Sequence, residues 1–158
     1  MPSPDLAVLA EGNLTTGEHW ILKAGGTRDD FYTFLETIHP DGHRDEGGMG
    51  GPPLYPGDLM NTYTGGAERG LRRVVVRADP RVARVRVQLA SGERIELLPL
   101  ATRPDIGVSF FAALFPPTAG LVSVTGLDAG GEVLEPQDLT GHEAAWQRFR
   151  RGHGSREA

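Results

Sequence analysis

Residues 83–97 alternate apolar and polar side chains with a period of two. Ala83, Val85, Val87 and Leu89 fall on one face, and Arg84, Arg86 and Gln88 on the other. After Ala90-Ser91-Gly92 the alternation resumes, with Ile95 and Leu97 against Arg94 and Glu96. Such a pattern, broken by a Gly-containing turn, predicts a half-buried β-hairpin. Paired strands must present their apolar residues to one face. A three-residue loop with Gly92 in the left-handed region meets that condition. It sets Val87 against Ile95 and Val85 against Leu97 on the core face, with Arg86 against Glu96 and Gln88 against Arg94 outside.

The same reading predicts strands at Leu6 to Ala10, Glu18 to Ala24 and Phe31 to Ile38, the last rich in β-branched and aromatic residues. Leu71 to Ala78 is another, closed by the turn signal Asp79-Pro80. Gly107 to Phe115 is apolar on both faces, as a strand covered on both sides would be; a helix has the same composition. Leu121 to Leu127 and Val133-Leu134 suggest a further hairpin, and Thr102 to Asp105 a loop. Between His39 and Gly70 neither period is visible. Those 32 residues hold nine Gly and four Pro, and a structureless stretch of that length is either disordered or functional. Thr140 with Glu143 has capping-box spacing, and residues 142–151 have helix-permissive composition with Trp146 and Phe149 three apart on one face.

Eight or nine short strands separated by frequent turns predict an all-β fold: an antiparallel β-sandwich of immunoglobulin-like size with a short C-terminal α-helix. A closed β-barrel is the alternative. Residues 1–138 form the sandwich, with a long Gly/Pro-rich loop at 39–70, and residues 139–158 the helix and tail. The composition agrees: 39% of the 158 residues are hydrophobic, and Gly and Pro together number 34.

Cysteine is absent, which excludes disulfides, zinc thiolate sites and cysteine nucleophiles. The N-terminus has neither the basic nor the apolar region of a secretory leader, and no run is long enough for a transmembrane helix. The expectation is a soluble, cytoplasmic protein without membrane contact. Net charge is −5 but uneven: residues 1–64 hold ten acids against three bases, and residues 65–103 nine arginines against four acids.

Val85, Val87, Leu89, Ala90 and Gly92, then Leu127, Asp128, Ala129, Gly131, Val133 and Leu134, make two hairpin phrases. Over residues 71–135 the chain resembles immunoglobulin-like β-sandwich domains in uncharacterised proteins of high-GC Gram-positive bacteria. The resemblance implies the fold and no catalytic residues.

Two groups carry candidate chemistry. His39, Asp41, His43 and Asp45 alternate two apart, so in an extended segment all four project to one side. Imidazole and carboxylate together suit a divalent metal such as zinc, manganese or iron; a solvated loop tip broken by Pro40 and Gly42 is the competing reading, and no cofactor is otherwise expected. Arg73 and Arg77 could join Arg84 and Arg86 on one exposed face, a cationic patch for an acidic protein partner or an anion. Overall negative charge and the lack of interleaved aromatics argue against nucleic acid. Gly47-Gly48-Met49-Gly50-Gly51 lacks the Lys-Ser/Thr of a phosphate loop and reads as a flexible linker. Asp128 to Glu132 lacks the ligand spacing of a calcium loop. Ser91, Ser109 and Ser123 have no nucleophile-elbow context. The resulting expectation is a non-catalytic protein-interaction module, with Trp146 and Phe149 on a helix that packs on the sandwich or meets the partner. A small-ligand- or metal-binding protein using residues 39–46 is the alternative.

Overall fold

The computed structural model describes residues 6–66, 70–146 and 148. Twelve strands follow in order: β1 (Ala7–Asn13), β2 (His19–Gly26), β3 (Phe31–Ile38), β4 (Arg44–Met49), β5 (Met60–Gly66), β6 (Arg72–Ala78), β7 (Arg84–Leu89), β8 (Arg94–Leu97), β9 (Ala101–Arg103), β10 (Val108–Phe115), β11 (Leu121–Leu127) and β12 (Val133–Asp138). A short helix, α1, covers residues 140–146.

The strands form three open antiparallel sheets, ordered β1-β2-β3-β4, β5-β6-β10-β9 and β12-β11-β7-β8. None closes into a barrel. The middle sheet is covered on both faces. Val74, Val76, Ala78, Phe111 and Phe115 pack toward the C-terminal sheet with Val85, Val87, Leu121 and Val124. Val75, Val108 and Phe110, from the other face of the same strands, pack toward the N-terminal sheet with Leu22, Ala24, Phe31 and Leu35. This accounts for the two-faced apolar run at 107–115.

The hairpin of residues 84–97 has the expected register: Val85 pairs with Leu97, Arg86 with Glu96, Val87 with Ile95 and Gln88 with Arg94. Gly92 has φ 91°, the left-handed conformation that its loop requires.

Nine expected strands become twelve because β4, β5 and β9 were not legible. Two lie inside the segment expected to be structureless. The Gly-rich run is an edge strand whose backbone pairs with β3, Phe34 directly opposite Gly48. A Cβ on Gly48 would lie 1.9 Å from the Thr33 carbonyl oxygen, so the close approach of the β3 backbone leaves room only for glycine. At Gly12, paired with Trp20 on β2, a Cβ would instead meet that indole at 2.8 Å. There the Trp20 ring fills the space that the glycine leaves, which is one way a glycine is made tolerable in a sheet.

At the C-terminal end, Asp138 Oδ1 accepts the Thr140 N–H at 2.8 Å. Glu143, expected as half of a capping box, turns its carboxylate inward to the buried Arg72 (Nη1 to Oε2, 2.6 Å) and to the Leu121 N–H (3.1 Å). Trp146 is buried, with Arg72 Cζ 4.8 Å from its ring centre. The helix therefore packs on the sandwich through Trp146; Phe149 lies outside the described residues.

Candidate functional site

The structure divides the four arginines expected on one face. Arg84 and Arg86 do lie outside, where both engage Glu96, at 3.6 and 2.9 Å. Arg73 and Arg77 do not join them. They sit on β6, a strand with neighbours above and below, and are 3% and 0% exposed. Arg73 Nε donates to the Leu35 carbonyl at 3.0 Å. Arg77 donates to the carbonyls of Phe31, Gly50 and Pro52 and to the Thr33 hydroxyl. Burial lowers Arg77 to about 10, so it remains a cation at neutral pH. These two side chains bind the N-terminal sheet to the middle one and offer no surface patch.

Of the four residues read as metal ligands, three come together at the β3–β4 turn. Nε2 of His39 lies 2.6 Å from Asp45 Oδ2, and Nε2 of His43 lies 3.1 Å from Oδ1. The two imidazoles are near-parallel, with centroids 5.6 Å apart. Asp41 is not among them: Pro40 and Gly42 break the extended segment, and Asp41 accepts the His43 N–H to close the turn. Among the described residues no group of three or more His, Asp or Glu side chains is placed to hold a metal ion.

Burial would raise the Asp45 carboxyl, but the His39 hydrogen bond and the nearby Arg73 charge outweigh it and leave the group below its ordinary value. Asp45 thus adds stability above about pH 4, the unfolded value, and that contribution is lost as pH falls through the lower folded value. Urea midpoints measured from pH 5 to pH 2.5 should fall less steeply for Asp45→Asn than for the wild type. Equal slopes would remove Asp45 from the acid response.

A third location was not legible in the sequence. β9 is three residues long and pairs with β10 only from Val108 to Phe110. The Leu100 N–H donates to the Phe110 carbonyl, so the polar groups of Phe110 face the β9 side. Alternation along an antiparallel strand then directs those of Ala112 and Leu114 the same way. Among the described residues no strand pairs with them there. Beside this half-edge lies an apolar crevice of about 180 Å³, walled by Leu14, Trp20, Leu35, Leu100, Ala112 and Leu114. Leu100 is 37% exposed, and Leu98, two residues earlier, 66%.

Other sheet edges carry devices against strand addition. β1 has a register shift between Val8 and Ala10. β12 contains Pro136. β8 has only four residues, with charged Arg94 and Glu96. The β5 edge is occupied by side chains from β12: Glu135 accepts the N–H groups of Leu59 and Met60, and Gln137 donates to the Met60 carbonyl. The open part of β10 has no such guard.

A wider groove of about 550 Å³ runs between residues 49–62 and the start of α1, with Tyr55, Asp58, Gln137 and His142 among its walls. Arg77 lies at its base, with both terminal nitrogens already engaged by carbonyls and Thr33. No serine, histidine and carboxylate among the described residues join in a nucleophile relay: Ser91 caps the Glu93 N–H, Ser109 meets Thr102, and His19 engages Asn13 and Glu11.

Among the described residues the chain is an antiparallel β protein of three sheets, in which part of β10 is left without a neighbouring strand. No known protein family, curated protein or solved structure matches the chain. No helix among the described residues is long and apolar enough to cross a membrane.

Proposed function

We propose that the chain is a non-catalytic interaction module whose protein partner adds a strand to the open edge of β10. The observation that supports this is the pairing of two free N–H/C=O sets, at Ala112 and Leu114, with an apolar crevice alongside. Strand addition takes its affinity from main-chain hydrogen bonds and its selectivity from pockets for alternate side chains. Both are present at this edge, and the arginine face expected for docking is partly internal. An immunoglobulin-like ancestry and a cytoplasmic setting are compatible with this use and are not needed for it.

A small-ligand role has one observation in its favour: residues 50–59 form an ordered wall to the 550 Å³ groove. Both terminal nitrogens of Arg77 at its base are taken by carbonyls and Thr33, and strand addition is the reading we adopt.

The free chain should exchange the Ala112 and Leu114 amides at least tenfold faster than those of Phe111 and Ala113, which are paired with β6. Proline at 112 deletes an N–H that faces away from β6, so Ala112→Pro should stay folded and lose strand-adding ligands. Linear peptides selected on the wild-type chain should fail on this variant. Selected peptides that bind both equally would overturn the proposal.

A further inference from the structure

We infer that the groove between residues 49–62 and α1 is a second binding site, apart from the β10 edge, and that it takes a small zwitterion carrying a carboxylate and an ammonium group. Arg77 at its base supplies the first half of the site. This guanidinium is wholly buried, and its four hydrogen bonds go to neutral acceptors, three carbonyls and a hydroxyl. Its Nε–H has no acceptor among the described residues. Buried charges and buried donors are as a rule paired, so this cation is one anionic acceptor short.

The guanidinium is a rigid planar fork, in which Nε–H points to the same side as Nη2. Nη2 donates to the carbonyls of Gly50 and Pro52, at 3.0 and 2.9 Å, and Gly50 belongs to the groove wall. The free donor is therefore directed toward the groove. Its nitrogen is covered in this conformation. Met49, half-buried in the same wall, has the flexible unbranched chain that can move aside.

The rim has the opposite charge. Asp58 and Asp138 are both exposed and line the groove. The Asp58 carboxylate has no partner among the described residues. Asp138 gives Oδ1 to the Thr140 hydroxyl and N–H, which holds its carboxyl below the ordinary value, and keeps Oδ2 for another donor. A plain anion drawn to Arg77 meets these two carboxylates on the way in. A plain cation held at the rim leaves Nε–H unpaired. A ligand with a carboxylate at its inner end and an ammonium at its outer end satisfies both. Tyr55, 52% exposed on the same wall, supplies aromatic surface for the ammonium or for the carbon between the charges. The volume, about 550 Å³, suits a ligand of amino-acid size.

The Arg77 Nε–H resonance of the full chain, labelled on arginine, is the direct readout, with calorimetric titration alongside. The probes are L-leucine and ε-aminocaproate, each with its amide and its N-acetyl form. At least one zwitterion should move the resonance and bind at least tenfold more tightly than both of its singly charged forms, each of which lacks one partner. Asp58→Asn, at an exposed position, should remove most of the advantage over the N-acetyl form. N-acetyl forms that bind as tightly as the zwitterions would make this an anion site and overturn the role of the rim. Amides that bind as tightly, with the resonance unmoved, would overturn the role of Arg77. A resonance that neither zwitterion moves would overturn the site altogether. None of these residues belongs to β10, so each outcome is independent of strand addition.

Discussion

Arg77→Met is expected to lower stability by about 3 kcal/mol, although it removes a buried charge that has no carboxylate partner. Taking a guanidinium out of water costs several kcal/mol, and its depressed pKa reflects that cost. Against it stand four hydrogen bonds from one cation, at 2.9 to 3.3 Å, each worth about 1.5–3 kcal/mol when the donor is charged. Methionine would fill part of the volume and leave the carbonyls of Phe31, Gly50 and Pro52 without this donor. Lysine should fare little better, because a single ammonium cannot span the acceptors that the planar fork reaches. Urea denaturation of Arg77→Met and Arg77→Lys measures both. A methionine variant more stable than the wild type would mean that desolvation outweighs the hydrogen bonds, as happens in some buried ionic clusters.

Glu143→Gln should cost a similar amount, about 3 kcal/mol, for a different reason. Arg72 is wholly buried and Glu143 is its carboxylate partner, with 20% of that side chain exposed. Neutralising the partner leaves a charge stranded in the core, the situation that makes broken buried pairs costly. Since the same carboxylate holds the Leu121 N–H, α1 should loosen, and in a Trp20→Phe background the Trp146 emission should shift to the red. Replacing both Arg72 and Glu143 by leucine removes the stranded charge with the pair, so the double variant should lose less than the sum of the single ones. Additive losses, or an unchanged Trp146 spectrum, would contradict this account of how the helix is held.

How much of this was legible in the sequence depended on whether a signal was local. The hairpin at 84–97 was readable to individual pairs because alternation and turn lie in one continuous stretch. β10 was readable because an element covered on both sides must be apolar on both. β4 was not, since glycines carry no pattern and what closes on them belongs to other strands: the Thr33 carbonyl against Gly48 is a property of a pair. Arg73 and Arg77 misled for a related reason. An arginine in an alternating segment normally faces water, and only the carbonyls supplied by β3 and the residues after β4 make the interior acceptable. At residues 39–45 the expected extended segment is a hairpin turn, which brings His39, His43 and Asp45 together across it and leaves Asp41 out. The β10 edge could not have been found locally, because its significance depends on which other edges are guarded.

The middle sheet has a consequence for how the molecule comes apart. Val74 and Val76 belong to one core and Val75, between them, to the other. Neither outer sheet has a core without β6 and β10, so neither half is a unit that can persist alone. Losing either outer sheet exposes one face of the same two strands and weakens their hold on the other. Heat or denaturant should therefore take the chain down in a single calorimetric transition, with van't Hoff and measured enthalpies equal. Assembly should be slow for a chain of this size, because strands far apart in sequence must converge on that sheet before either core exists.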